Sequence, residues 1–360
     1  MKTNITYPTT TINYVVNDIA ELSAHRMNDK KEVVFYYGSQ ILGTLVSGMC
    51  AHALAKHLSE YYKIPARVVF TGLENEGGIV KTVNGIKYSR MLCDHQPDGL
   101  KRFQEFVDSF RQMFTSVSGL SLIPTETNFY TDLQTKPLAR STLLNIIEKT
   151  DSILLLLNPL RKQIGVRFKC PECKYIDKHY RTQELLEFIL KEKAIFRNEC
   201  FEHGGYTRVL TPYNDEFFDV NGMVRNVIKE VVISSESETE GIYPVIVKGR
   251  DWVPTAIMVS EALELLGYSY EKRLQRMFTP LVLDWSGAKL SKSCSAEDKK
   301  EHAPFLSYPD LMSYYGVDGI EKLWVEVLSW TKDTRKFYRD YTTDFFTLLF
   351  KEGLFKPGIS

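Results

Sequence analysis

The spacing of apolar residues switches between strand-like and helix-like along the first part of the chain. EVVFYYG (Glu32–Gly38) is a continuous apolar, β-rich run that ends in glycine, the pattern of a buried strand. SQILGTLVSGM follows and reads as a glycine-rich turn, with Gly43 and Gly48 along it. From Met49 to Lys63 the apolar positions Met49, Ala53, Leu54, Leu58 and Tyr61 recur at helical spacing, and Pro65 marks the stop. ARVVFTG (Ala66–Gly72) is a second strand. Strand, glycine-rich turn, helix and strand predict the opening of a doubly wound α/β sheet.

Residues 99–118 and 138–150 have helical patterning, while DSILLLLNPL reads as a buried strand or a short helix. A cysteine-bearing insert occupies 166–206, and SESETE (Ser235–Glu240) reads as an acidic loop. IYPVIVKGRD (Ile242–Asp251) is again a buried strand ending in glycine. The next segment, Pro254–Tyr268, is a strong helix, with proline at its start and Gly267 at its end. FTPLVLDW (Phe278–Trp285) is strand-like, and a small-residue loop, KLSKS, follows. DLMSYY, IEKLWVEVLSW and FFTLLFKEG make the C-terminal stretch helical. The expected fold is α/β, a sheet begun at 32–72 and resumed at 242–285. The expected units are an extension at 1–30, a first half at 31–160, the cysteine-bearing insert at 161–240, a second half at 241–300 and a helical tail at 301–360.

Composition narrows the classes. The 360 residues are 44% hydrophobic and 25% charged, too long for one small core. Net charge is zero, which argues against a general affinity for nucleic acid while leaving room for a local basic face. SILLLLNPL, the longest apolar run, is far short of the ~20 residues that span a membrane. MKTNITYPTT lacks the basic-then-apolar character of a secretory signal. The expectation is a soluble cytoplasmic protein with no membrane partner.

Six cysteines are too sparse for a disulfide framework, yet three of them cluster. Cys170 and Cys173 form Cys-x-x-Cys, and Cys200 and His203 form Cys-x-x-His. Each such turn puts two ligands on one knuckle, and zinc takes four of these ligands tetrahedrally. With four protein ligands the site is closed and structural. His179 is an alternative ligand.

Two further features bear on phosphate chemistry. The turn after the first strand, Gly38 to Met49, allows close backbone approach, and a helix N-terminus behind it favours anions. It reads equally as a tight connection. Gly249-x-Asp251 ends the resumed strand. Its carboxylate suits a ribose hydroxyl or an N-cap. In KLSKS, Lys289 and Lys292 can close over a polyphosphate and meet charge as it develops; such a loop also occurs as a plain solvated turn.

Together these features resemble class I aminoacyl-tRNA synthetases. KLSKS is similar to the KMSKS signature and follows a Gly-x-Asp strand, its helix and one more strand. Gly38-Ser39-Gln40-x-x-Gly43-x-Leu45-x-x-Gly48 is similar to the family's first signature, G-x-x-P-[ST]-G-x-x-H-I-G-[HN]. NPLRKQ before a zinc knuckle resembles class I lysyl-tRNA synthetases in particular. The resemblance covers roughly residues 30–300. It implies a Rossmann-like (HUP-type) catalytic domain that binds ATP with Mg²⁺, activates an amino acid to its adenylate and transfers it. Lys289 and Lys292 would act on the phosphates, with Ser291 beside them. Gly38, Ser39, Gly43, Gly48 and Gly249 would surround the nucleotide, and Asp251 would hold ribose. A lysine-like substrate needs a carboxylate, for which Glu74, Glu76 and Asp219 are candidates. The first signature departs from the family, because Ile41, Val46 and Met49 fall where its proline and imidazoles stand. Either Lys289 and Lys292 then carry more of the load, or another donor such as His52 or Ser47 substitutes, or activation is slow or absent. The short stretch after KLSKS implies an acceptor such as the tRNA acceptor end, a small molecule or a peptide. The competing reading is a synthetase-like nucleotide- or tRNA-binding module without catalysis.

Overall fold

The structure is a computed structural model. It describes residues 32–352 apart from 39–41, 62, 73–77, 92–93, 95–97, 118–122, 158–162, 291–304, 306–307, 333 and 338. The proposed extension at 1–30, NPLRK (158–162) and the candidates Ser39, Glu74, Glu76, Ser291 and Lys292 lie outside the described residues.

A five-stranded parallel sheet forms the centre. Its strands in chain order are β1 (Glu32–Gly38), β2 (Ala66–Gly72), β3 (Thr125–Phe129), β4 (Ile242–Gly249) and β5 (Gln275–Thr279). Their spatial order is β5-β4-β1-β2-β3. That order reverses between β1 and β4, as in doubly wound sheets. The strands read as unbroken apolar runs because both faces of a parallel sheet are covered. Val33, Val34 and Phe35 are all fully buried.

One face packs against helices α1 (Leu42–Tyr61) and α2 (Gly99–Ser116). The other carries α3 (Gly222–Glu240) and α4 (Val253–Leu265). There Ile233 and Ile246 meet in a small cluster, and Val231, Val259 and Leu263 belong to a separate core. Helix α1 begins at Leu42, not at Met49, so Gly43 and Gly48 are helical and do not form a turn. Glycine costs roughly 1 kcal/mol against alanine in a helix. The buried stripe Leu45, Val46, Met49, Cys50, Leu54 and Leu58 outweighs that cost.

Other elements also differ from the pattern. SESETE is not a loop; it closes α3, with Ser237 buried and Gly241 in the left-handed conformation as the stop. DSILLLL lies in a helix, Thr150–Leu157. FTPLVLDW is two strands, because Pro280 has no N–H for the ladder. Val282–Leu283 instead pairs in parallel with Tyr341–Thr342 near the C-terminus. The cysteine-bearing region holds an antiparallel sheet of Glu184–Ile189, Lys193–Cys200 and Gly204–Leu210. No helix among the described residues is long and apolar enough to cross a membrane.

The C-terminal helices α5 (Tyr308–Lys332, kinked at Gly316) and α6 (Thr343–Glu352) are not an appendage. Ile320, Leu323, Trp330 and Phe346 share one continuous core with α1 and the sheet. Trp330 is fully buried, donates from Nε1 to Glu326 at 2.9 Å and stacks on Tyr341 at 4.3 Å. Trp330→Ala should therefore lower the stability of the whole sheet by about 3–5 kcal/mol. Denaturant unfolding followed by far-UV circular dichroism checks this. A separate early transition of the C-terminal helices, with the remainder unchanged, would contradict the shared core.

Candidate functional site

A cavity of about 640 Å³ opens at the C-terminal edge of the sheet and runs beneath α3. Its rim is built by the ends of β4 and β5. Gly249 closes β4, and Asp251 follows in a short 3₁₀ turn, Arg250–Trp252. A Cβ at position 249 would lie 2.7 Å from Asp251 Oδ1 and 3.2 Å from Leu281. Glycine is thus required for the Asp251 carboxylate to fold back over the strand end. Lys289 reaches the same carboxylate through a tight hairpin. Asp284 Oδ1 accepts from Ser286 N at 2.8 Å and Ala288 N at 3.0 Å, and Leu290 N bonds Val282 O at 2.9 Å. Leu290 is buried and pins the loop. Lys289 Nζ then pairs with Asp251 Oδ2. The C-terminal region braces this edge, since Asp340 Oδ1 accepts from Arg250 at 2.9 Å and from Leu281 N at 2.8 Å.

Of the residues singled out in the sequence, Gly249, Asp251 and Lys289 come together, and Ser47 also lines the cavity. Ser47 shares a 2.7 Å hydrogen bond with Thr279. Gly38 ends β1. Val46 and Met49 do not face the cavity; both are fully buried in the core with α1. Aligning on the glycine spacing therefore does not carry the family's imidazole positions to the site. His52 is fully buried as well, with Nδ1 donating to Gly48 O at 2.8 Å and Nε2 facing Thr125 Oγ1 at 3.2 Å. Asp219 is buried beside the cavity, holding Arg167 and, at 2.7 Å, Arg225. Its carboxylate acts on the cavity through Arg225, which lines the wall.

The pattern reading missed the cations of that wall. Arg225, Lys229 and Lys248 all line the cavity. Lys248 donates to Asn226 at 2.5 Å and lies 4.7 Å above the Trp252 ring. Burial, then the nearby Lys248, pull the Lys229 ammonium down to about 7. Burial likewise brings Lys248 down to about 8. The signal was present in the sequence: a lysine ends the apolar run of PVIVKG, and another interrupts NVIKEVVI.

Away from the cavity, Cys170, Cys173, Cys200 and His203 converge, their ligand atoms all within 4.8 Å of one another. Cys200 ends one strand, and His203 sits in the turn to the next. Tetrahedral zinc with bonds of ~2.3 Å separates its sulfurs by about 3.8 Å. Here Cys173 and Cys200 are 3.4 Å apart, and His203 Nδ1 lies 3.6 and 3.7 Å from Cys200 and Cys170. Glu172 stands 3.3 Å from His203 Nε2, leaving Nδ1 toward the sulfurs, the second contact usual for a metal-bound imidazole. The donor set fits a metal such as zinc, and His179 is not part of it.

No protein-family model matches the chain, and no curated protein does. A Campylobacter jejuni protein described as a "putative arginyl tRNA synthetase" has a similar solved structure, with a TM-score of 0.32 and 9% identity over 89% of this chain and 69% of that one. So slight a likeness carries no argument about activity, which rests here on the residues themselves.

Purified protein should hold about one zinc per chain, and Cys173→Ser should lose both metal and thermal stability. Metal analysis finding far less than one zinc in protein never exposed to chelator would refute this. A second expectation concerns acid. Burial pushes His52 from 6.5 down to about 4. Above pH 6.5 both folded and unfolded chains hold it neutral, so it has no effect there. Below that pH the unfolded chain takes up a proton that the folded chain refuses. Stability should fall as pH drops from 6.5 towards 4, by up to about 3 kcal/mol. In His52→Gln that part of the acid slope should vanish; an unchanged slope would place the titration elsewhere.

Proposed function

We propose that the cavity binds ATP and that the protein activates a carboxylate, in the simplest case an amino acid, to its adenylate before transfer. One observation carries this reading. The Lys289–Asp251 ion pair joins two motif residues at the mouth of a cavity lying at the strand-order reversal. Ligands of open α/β sheets bind at that point. In this reading Asp251 turns to the ribose hydroxyls while Lys289 turns to the phosphates, with Mg²⁺ accompanying ATP. The substrate carboxylate attacks the α-phosphorus, and pyrophosphate leaves. Positioning and charge stabilisation supply the acceleration, without a covalent enzyme intermediate. Class I synthetase-like chemistry and an acceptor such as the tRNA acceptor end, a small molecule or a peptide belong to the same proposal. A lysine-type substrate would depend on Glu74 or Glu76, outside the described residues, or on Asp219, which two arginines already hold.

A second reading, nucleotide binding without chemistry, draws on the core positions of Val46 and Met49. No histidine lines the cavity among the described residues. ATP–pyrophosphate exchange across the twenty amino acids separates the two. The expected result is exchange with a narrow set of amino acids, falling about 10²–10³-fold in Lys289→Ala. Bound ATP with no exchange for any amino acid would select the binding module. Wild-type exchange in Lys289→Ala would remove the lysine from the mechanism.

A further inference from the structure

The cavity's charges do not balance, and the imbalance is local. Towards the far end, Arg67 pairs with Glu126 at 2.5 Å, and Lys136 pairs with Glu236 at 2.6 Å. At the mouth Lys289 pairs with Asp251. Between them stand Arg225, Lys229 and Lys248. Arg225 and Lys229 lie on the same face of α3, one turn apart, where like charges destabilise a helix. The carboxylate nearest Arg225 is Asp219, which Arg167 shares. Glu230, the next residue along α3, is committed to Arg276 at 2.5 Å. Lys248 contacts a neutral amide and an indole ring, and the carboxylates that act on it, Glu230 and Asp251, are paired with Arg276 and Lys289. Among the described residues the Lys229 ammonium has neither a hydrogen bond nor an ion pair. Glu230 is the carboxylate that acts on Lys229, and it is already paired with Arg276, so a bound anion would relieve the local excess of positive charge.

We propose that this middle section of the cavity receives the side-chain carboxylate of an acidic amino acid, so that the substrate is aspartate- or glutamate-like rather than lysine-like. The inference rests on the reading of the cavity as an amino-acid activation site. Three cations gathered on one cavity wall suit an anionic side chain. Lys229 lies seven residues beyond Gly222, about 10 Å down the axis of α3. It lines the same cavity as Ile233 and Ile246, and Lys248 and Arg225 are the cations that act on it. Each carboxylate lining the cavity is already engaged: Glu126 and Glu240 with Arg67, Glu236 with Lys136, Asp251 with Lys289, and Asp132 with the Phe129 N–H. A lysine side chain would meet like charges at this wall, and the lining acid without a cationic partner, Asp132, accepts from the Phe129 N–H.

The test compares an acid with its nearly isosteric amide. Calorimetry on the full chain would measure aspartate against asparagine, glutamate against glutamine, and lysine, with ATP binding measured separately. One acid should bind about 10- to 100-fold more tightly than its amide, the effect of one or two charged hydrogen bonds. Lys229→Met should abolish that preference and leave ATP affinity unchanged. Equal binding of acid and amide, tighter binding of lysine, or no acid binding at millimolar concentration would overturn the proposal. Loss of ATP affinity in Lys229→Met, with no acid preference in the wild type, would show that the ammonium meets a phosphate instead, and would overturn it too. If ATP fails to bind while the acid preference and its loss in Lys229→Met are observed, the nucleotide reading falls and the anion site stands.

Discussion

The pairing of β1 with β4 is the constraint on which the rest depends. Glu32 lies opposite Ile242, and Tyr36 opposite Ile246. Bringing together segments about 200 residues apart costs roughly 5 kcal/mol in loop closure. Full burial of Val33, Phe35 and Val245 more than offsets this, at about 1.5–3 kcal/mol for each large apolar side chain. The pairing also creates the crevice. The chain leaves β1 towards β2 and leaves β4 towards β5, so the two connections diverge above the shared edge. Gly249, Asp251 and Lys289 stand at that divergence.

Strand parity then decides what the cavity is made of. Val33, Phe35, Val68, Phe70, Val245 and Val247 point to the face that α1, α2 and the C-terminal helices cover. The alternate positions Tyr36, Arg67, Thr71 and Lys248 point to the face beneath α3. One face is therefore an apolar core, and the other mixes apolar residues such as Val69 and Ile246 with the polar lining of the cavity, although the strand sequences look uniformly hydrophobic. A one-residue slip in any of these strands would exchange the two.

This also marks what could be read from the sequence. Strands β1, β2 and β4, the Pro254-to-Gly267 helix and the Cys/His cluster depend on local periodicity or on ligand spacing and were legible, whereas β3, TETNF at Thr125–Phe129, was not, because its alternating polar residues carry no apolar run. The start of α1 was not, because Gly43 and Gly48 argue locally for a turn while the buried stripe from Leu45 to Leu58 argues for a helix, and the stripe wins only once the sheet is there to bury it. SESETE looks like a loop until Ser237 is seen to pack inward at the end of α3. The C-terminal helices carried no sign of their destination, since their apolar faces do not name the surface they cover. Lys229 and Lys248 were missed for the opposite reason. A lysine in an apolar run reads as a lapse in the pattern, and only the fold places both in one chamber.

The described part of KLSKS has a defined place. Lys289 and Leu290 belong to a hairpin fixed by the Asp284 turn and by the bond from Leu290 N to Val282 O. Lys289 is therefore delivered to the cavity mouth by a defined backbone, not by a free tether. Its ion pair with Asp251 is partly exposed, with side-chain accessibilities of 42% and 27%. Pairs this exposed contribute about 1 kcal/mol or less. Such a contact holds both groups at the mouth yet is readily exchanged. On the proposed reading a ribose hydroxyl replaces the ammonium on Asp251, and a phosphate replaces the carboxylate on Lys289. The first exchange replaces an ion pair by a hydrogen bond from a neutral hydroxyl, and the second forms a new ion pair with the phosphate. The same two residues can thus hold each other at the mouth and be released to a ligand at a cost no larger than that of one partly exposed ion pair.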